Sequence, residues 1–269
     1  MFYTGDIVCE NCGEIIEKGT DVTVDLSKCT ITLNKNSVMY NKNMTLPVAT
    51  VKSNGLVVPN TDYEVAYVNA GKAGTATVKI TGKTERCTGE ITKTFSITKQ
   101  SISKYKFKLA KTAYTYTGKT IKPAVKVSGL SSKTDYSVAY SANKAAGVAT
   151  VKITGKGNYS GTVVLNFNIL PKGTAISKLK AGKGSLTASW KAQKSYTNGY
   201  EIRYSLKSNM SGSKTVKITK NKTISTVVKK LKSKKTYYVQ VRTFTNVKVN
   251  KKTKVLYSDW SKTKSIKVK

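Results

Sequence analysis

The chain has 269 residues and a mass of 29.3 kDa, and at roughly 100 to 200 residues per domain that length suggests two or three domains. Hydrophobic residues make up 39% and aromatic residues 9%, enough to build packed cores and to exclude a wholly disordered chain. There is no histidine, which removes the commonest general base, the Ser–His and Cys–His nucleophile pairs and the usual zinc ligand, and 48 basic against 13 acidic residues leave a net charge of +35.

The charge is unevenly placed. Residues 1–99 carry +1, residues 100–170 carry +10 and residues 171–269 carry +24, the last from 26 basic and 2 acidic residues. Only Arg86, Arg203 and Arg242 are arginines, so the excess is lysine, a hydrated point charge without the fork that reads bases or phosphates bidentately. That composition favours solubility or diffuse attraction to polyanions over sequence-specific reading of nucleic acid. No tract approaches the roughly 18 to 20 apolar residues of a membrane span. The start, Met1 to Asp6, lacks the basic and apolar regions of a signal peptide. The chain is therefore expected to be either cytosolic or a segment of a longer exported protein.

An N-terminal segment, 1–22, contains Cys9-Glu10-Asn11-Cys12-Gly13. A thioredoxin-like redox site needs a strand-to-helix context, which this segment lacks. A structural zinc site needs four ligands and would have to recruit Cys29 and Cys87 at unsuitable spacing. A local Cys9–Cys12 disulfide or a reduced pair is expected instead, with no metal and no cofactor.

Two tandem repeats follow, 23–99 and 100–170. In the second, Tyr116-Thr117-Gly118-Lys119, Pro123, Thr134-Asp135-Tyr136-Ser137-Val138-Ala139-Tyr140 and Ala146-Gly147-Val148-Ala149-Thr150-Val151-Lys152-Ile153-Thr154-Gly155 precede Phe167. In the first, Tyr40, Pro47, Thr61-Asp62-Tyr63-Glu64-Val65-Ala66-Tyr67 and Ala73-Gly74-Thr75-Ala76-Thr77-Val78-Lys79-Ile80-Thr81-Gly82 precede Phe95 in the same order. The offset drifts from 76 through 73 to 72, so the length differences fall between strands. Val-, Thr-, Ile- and Tyr-rich alternation between Gly, Asn and Lys turns, without helical periodicity, predicts a β-sandwich for each repeat and near-zero helix.

On this alignment Cys29 falls opposite Tyr105 and Cys87 opposite Tyr159. Paired replacement predicts that the two sites touch, closed by a Cys29–Cys87 disulfide in one repeat and by tyrosines in the other, which fits an oxidising compartment. The alternative is two buried thiols acting as small apolar residues. Asp62 and Asp135 precede paired tyrosines at turns, where a single carboxylate accepts backbone N–H bonds. No pair of acids forms a glycosidase site. Leu46-Pro47-Val48-Ala49-Thr50 lacks the surroundings of a wall-sorting signal. An intramolecular Lys–Asn isopeptide bond would need a buried acid, for which Asp135, Glu201 and Asp259 are the candidates.

The third segment, 171–269, opens after Pro171-Lys172-Gly173 with a different pattern. Ser185 to Trp190 alternates, Gly199 to Ser205 alternates again, Leu231 precedes Tyr237 by six positions, and Tyr237, Val239 and Val241 share one strand face. Trp on the second strand, a Tyr-x-Ile-x-Tyr third strand and a Leu-then-Tyr corner resemble the fibronectin type III module over 174–269. Tyr257-Ser258-Asp259-Trp260-Ser261 is similar to the Trp-Ser-x-Trp-Ser element of some such modules, which implies a cation–π ladder of Trp260 with Arg242 and Arg203. The tandem repeats resemble Ig-like repeats of large secreted or wall-attached proteins of Gram-positive bacteria, through Tyr116 to Lys119 and Gly157 to Gly161. Tyr3 to Gly13 resembles a short element that precedes such repeats.

These resemblances imply an all-β chain of three tandem sandwiches, Ig-like, Ig-like and fibronectin type III, in an elongated array. They imply an extracellular, secreted or cell-wall-associated, non-enzymatic spacer and adhesion or binding region, monomeric and without cofactors. Its partner is expected to be an anionic cell-wall polymer or a host glycan or protein, with no specific nucleic acid. The nearest other readings are an accessory region of a secreted carbohydrate-active enzyme or peptidase, and a lysine-driven polyanion or nucleic-acid binder. Candidate polyanion contacts are the turn lysines Lys229, Lys230, Lys232, Lys234 and Lys235, and Lys248, Lys251, Lys252 and Lys254.

Overall fold

The computed structural model describes residues 7–17 and 22–269. Met1 to Asp6, with the opening of the N-terminal element, lie outside the described residues. Among the described residues there is no α-helix; two single turns of 3-10 helix, Leu26–Lys28 and Ile102–Lys104, interrupt the strands. None is long and apolar enough to cross a membrane. By internal contacts the chain divides into two compact units. One is Met1–Lys104 with Leu130–Ser137 and Thr154–Thr162; the other is Tyr105–Gly129, Val138–Ile153 and Val163–Lys269. The second repeat thus contributes to both.

In the first repeat one sheet has the order Ser37–Met39, Glu90–Thr98, Gly74–Gly82, Tyr63–Val68, and the other Thr30–Leu33, Ala49–Ser53, Leu56–Val57. The alternation seen in the sequence is the alternation of burial. Ala76, Val78 and Ile80 point into the core with no exposure, where they meet Ile31 and Val51 of the second sheet and Phe95 and Ile97 of a neighbouring strand. Val24–Asp25 pairs in parallel with Cys87–Thr88 and closes one end.

The second repeat reproduces the four-stranded sheet and the parallel end pair, while its other sheet is reduced to Lys108–Leu109 against Val125–Lys126. Its four-stranded sheet runs Ala113–Thr115, Thr162–Leu170, Gly147–Gly155, Tyr136–Ser141, and Gln100–Ser101 pairs in parallel with Tyr159–Ser160. Ala149, Val151, Ile153, Phe167 and Ile169 are the buried counterparts of Ala76, Val78, Ile80, Phe95 and Ile97.

The 3-10 turns also match. Leu26 and Ile102 are both fully buried, and each turn is started by a small polar residue. Asp25 Oδ1 accepts from the Ser27 amide at 2.9 Å and Ser101 Oγ from the Ser103 amide at 3.2 Å. Tyr67 Oη donates to the Pro47 carbonyl at 2.5 Å, and Tyr140 Oη to the Pro123 carbonyl at 2.6 Å. Gly82 and Gly155 share a further constraint. A Cβ at Gly82 would lie 2.0 Å from the Cys87 carbonyl oxygen, and one at Gly155 would lie 2.8 Å from the Ser160 amide, so neither site admits a side chain.

The third segment is a sandwich of Ile176–Gly182, Ser185–Trp190 and Ser225–Lys229 against Lys214–Ile218, Gly199–Ser205, Thr236–Val249 and Lys252–Tyr257, with Lys264–Lys267 also on the long strand. Its core is Trp190, Tyr200, Ile202, Leu186, Val228, Leu231, Tyr237, Val239 and Val241 with their neighbours. Leu231 and Tyr237 form the corner expected from their spacing: the Tyr237 hydroxyl accepts from the Lys232 amide at 3.0 Å.

Candidate functional site

The residues singled out in the sequence fall into five places. The first is the hairpin of Ile7–Val8 and Ile15–Glu17. Its turn is closed by Gly13 N–H to the Cys9 carbonyl at 2.9 Å and Cys9 N–H to the Glu14 carbonyl at 2.8 Å, with Gly13 at φ +76°. Cys9 and Cys12 are free thiols here, the reduced pair of the two expected arrangements. The Cys12 thiol and the amides of Cys12 and Asn11 hydrogen-bond the Cys9 sulfur and lower its pKa.

Cys29 and Cys87 lie in the first core, both buried. The structure departs from the expected bond between them: they too are free thiols. The Cys29 thiol is turned to the backbone of the adjoining 3-10 turn, donating to the Asp25 carbonyl at 3.4 Å. Burial, then Asp62 and Cys29, push the Cys87 thiol up from its ordinary value, which keeps it protonated and inert.

Of the turn carboxylates, Asp135 binds the backbone and Asp62 a neighbouring hydroxyl. Asp135 accepts from the Ser131 amide at 2.8 Å and from the Thr134 hydroxyl at 2.9 Å, and Thr61 donates to Asp62. Glu201 is held by the Arg242 guanidinium, whose Nε lies 2.6 Å from its Oε2. None of these arrangements sets an acid beside a Lys–Asn pair.

On the outer face of the third sandwich Trp260 is flanked by two guanidinium groups, Arg242 at 4.2 Å and Arg203 at 4.4 Å from its ring centroid. Arg242 also lies 3.8 Å from the Tyr257 ring. Strand register explains the stacking: Arg203 pairs across from Gln240 and Glu201 from Arg242, so both arginines project outward from adjacent strands. Arg203 Nε donates to Gln240 Oε1 at 2.6 Å, and Gln240 Nε2 donates to Thr263 Oγ1 at 2.8 Å. Burial, and secondarily the Arg242 charge, lower the Arg203 pKa. Both arginines are thus tied to neighbouring strands by side chains of the protein itself, which makes the ladder a brace.

The lysines are sorted by the tertiary structure. Lys248, Lys251, Lys252 and Lys254 surround the tight turn at Asn250 and Lys251, both in the left-handed region. There Lys248 donates to Thr253 at 2.7 Å and Lys254 to Asn168 at 3.1 Å. Lys230 and Lys232 instead face a cleft of about 410 Å³, where they are joined by Lys207 and Lys214. Its walls are the Leu231–Tyr237 corner and the loop 206–213. Leu231 is buried between the two outward lysines, anchored by its amide on the Gly184 carbonyl at 2.9 Å, while Lys230 sits at φ +59°.

The opposite wall is equally fixed. Ser205 Oγ donates to the Ser211 carbonyl at 2.8 Å and accepts from the Lys207 amide at 3.0 Å, and Met210 is buried. Tyr204 and Tyr237 pack with ring centroids 6.3 Å apart beneath. Among the described residues no carboxylate lines the cleft. Lys229, Lys234 and Lys235 do not line it, and Lys207 and Lys214, which do, stand outside the dense lysine turns that drew attention in the sequence.

Among curated proteins none matches the chain. Similar solved structures include the FN1–FN3 domains of chicken CNTN1, 15% identical over 72% of this chain and 78% of that one with a TM-score of 0.32. A two-domain fibronectin type III segment of chicken tenascin is 14% identical over 77% and 98%, with a TM-score of 0.33. A segment of titin is 14% identical over 89% and 98%, with a TM-score of 0.29. The family model for the fibronectin type III domain matches residues 171–259, so the chain carries a domain of that family at its C-terminal side.

Proposed function

We propose that this chain is a non-catalytic spacer and binding region of a modular secreted or cell-surface protein, and that its fibronectin type III domain does the binding by attracting anionic polymers. One observation carries the reading. Residues 171–269 hold a net charge of +24, and of their two acids Glu201 is already committed to Arg242, so the surface lysines keep a strong field with little internal compensation. The repeats suit a spacer: each is built from paired strands and fixed turns, and the polar residues singled out in them cap turns. Cell-wall polymers and acidic glycans are the partners such a field favours.

The test is a salt titration of the full chain against purified teichoic acid, heparin and DNA. Binding to an anionic polymer that survives at about 0.15 M salt, where the screening length is about 8 Å, is the expected result. Absence of binding to all three at that ionic strength overturns the proposal and leaves the lysines as a solubilising surface.

A further inference from the structure

We infer that the cleft between the Leu231–Tyr237 corner and the loop 206–213 is a binding site for a segment of anionic glycan, a chain of sugar or polyol units carrying one negative group per repeat. The inference rests on the proposed polyanion reading and locates it.

The field of the domain is spread over many lysines, but the cleft concentrates it. Lys207, Lys214, Lys230 and Lys232 line it from two separate walls, and among the described residues none of the four has an ion-pair partner. An anion seated in the cleft meets cations from both walls. A volume of about 410 Å³ falls within the range of about 300 to 1,000 Å³ usual for ligand pockets.

The walls are pre-organised. The loop 206–213 is tied by its own Ser205 and Ser211 bonds, and the corner by the Tyr237 hydroxyl and the Gly184 carbonyl, so little ordering cost falls on binding.

The floor is what a glycan needs. Leu206 lines the cleft at 45% exposure, an apolar side chain the domain does not bury, and Tyr204 is partly exposed beside it. Sugar rings present apolar C–H faces to such groups, and their hydroxyls can meet the exposed Ser211. Single-stranded nucleic acid is a poorer fit because it needs a row of open aromatic faces for successive bases. Here Tyr237 is buried at 6% exposure with its hydroxyl already bonded.

The experiment compares two quadruple variants of the full chain with equal loss of charge. One is K207Q/K214Q/K230Q/K232Q; the other is K248Q/K251Q/K252Q/K254Q on the distant turn. Binding of teichoic acid and of heparin is measured at about 0.15 M salt, with unchanged thermal melting required of both variants. The expected result is a loss of about tenfold or more for the cleft variant and at most about threefold for the turn variant, since only the cleft lysines make close contacts. Leu206→Ser should weaken binding about three- to tenfold without altering its salt dependence, because apolar contact carries no charge.

The teichoic acid and heparin arms separate a phosphodiester from a sulfated source of the same chemistry. Equal weakening by the two quadruple variants overturns the site and leaves the diffuse-field reading standing. Loss of nothing on Leu206→Ser overturns the glycan floor. Single-stranded DNA that binds as tightly and competes for the cleft reassigns it to nucleic acid and overturns the proposal. Failure of the unmodified chain to bind any polymer overturns the functional reading itself.

Discussion

The first repeat and the fibronectin type III domain bury similar aliphatic and aromatic cores between two sheets, yet they hold their charges in opposite ways. Residues 23–99 carry 10 basic and 5 acidic residues, and they pair charge with charge on the surface, as in Lys79 with Glu90 at 2.6 Å. The type III domain has two acids for 26 bases. It uses one of them, Glu201, to fix Arg242, and then stacks the Arg242 and Arg203 cations on Trp260 and Tyr257. Aromatic faces replace carboxylates as counter-groups for the arginines, and among the described residues the cleft lysines Lys207, Lys214, Lys230 and Lys232 have no carboxylate partner. The comparison teaches that a strongly basic sandwich can be stable when its few ordered cations are arginines on rings and its many lysines are kept on turns and edges.

The sharpest way to break this comparison is to remove the brace. Arg242→Ala leaves Glu201 without its partner and strips the cation from two rings. About 3 to 5 kcal/mol should be lost from the type III domain, since an almost buried carboxylate is left uncompensated. Calorimetry of the full chain should show that transition falling, with the first repeat unmoved. Arg242→Lys should recover only part of the loss, because a point charge lacks the fork. A full recovery would show that charge alone matters.

In the first repeat the largest single polar effect expected is smaller. Tyr67→Phe removes the hydroxyl that meets the Pro47 carbonyl and should cost about 1 to 2 kcal/mol. The matched Tyr140→Phe should cost a similar amount through Pro123. A difference between the two well beyond that range would show that the repeats have diverged in mechanics as well as in sequence.

Salt should separate the two regions more gently. Raising it from about 0.05 to 0.5 M screens like-charge repulsion and should stabilise the type III domain by up to about 1 kcal/mol, with a smaller change in the first repeat, whose net charge is +5. Parallel shifts of both transitions would contradict the electrostatic contrast.

The first repeat has its own signature in alkali. Burial raises the Cys87 thiol, and burial with Cys87 raises the Tyr63 hydroxyl, from ordinary values of 9.0 and 10.0. Groups whose folded pKa is raised stabilise the fold below the unfolded pKa and lose that contribution as pH climbs through the folded one. The first repeat should therefore weaken above about pH 9, and Cys87→Ala should blunt the onset. Alkylation should label Cys9 before Cys29 or Cys87. Unreduced peptide maps that contain a Cys29–Cys87 disulfide would replace the thiol pair described for this core.

Much of the fold could be read along the chain because strand alternation is a local property. Ala76, Val78 and Ile80, and their counterparts Ala149, Val151 and Ile153, announce their inward face by period two alone. The drift of the repeat offset located the turns where lengths differ. The Leu231–Tyr237 corner and the pairing of Trp260 with Arg203 and Arg242 were legible because each depends on a fixed spacing within or between adjacent strands. Cys29 and Cys87 show the limit: alignment brought both to the first core, but the side-chain direction that sends Cys29 to the Asp25 carbonyl is set by the 3-10 turn before it.

The lysine cleft was beyond the sequence for a related reason. Density along the chain selected Lys229 to Lys235 and Lys248 to Lys254, whereas the cleft takes only Lys230 and Lys232 from the first group and adds Lys207 and Lys214. Sequence by itself determined composition, strand periodicity and the repeat, because those are set by neighbours a few residues away. Which charges converge was decided by the folding of the loop 206–213 against the corner at Leu231, a long-range contact that no local pattern encodes.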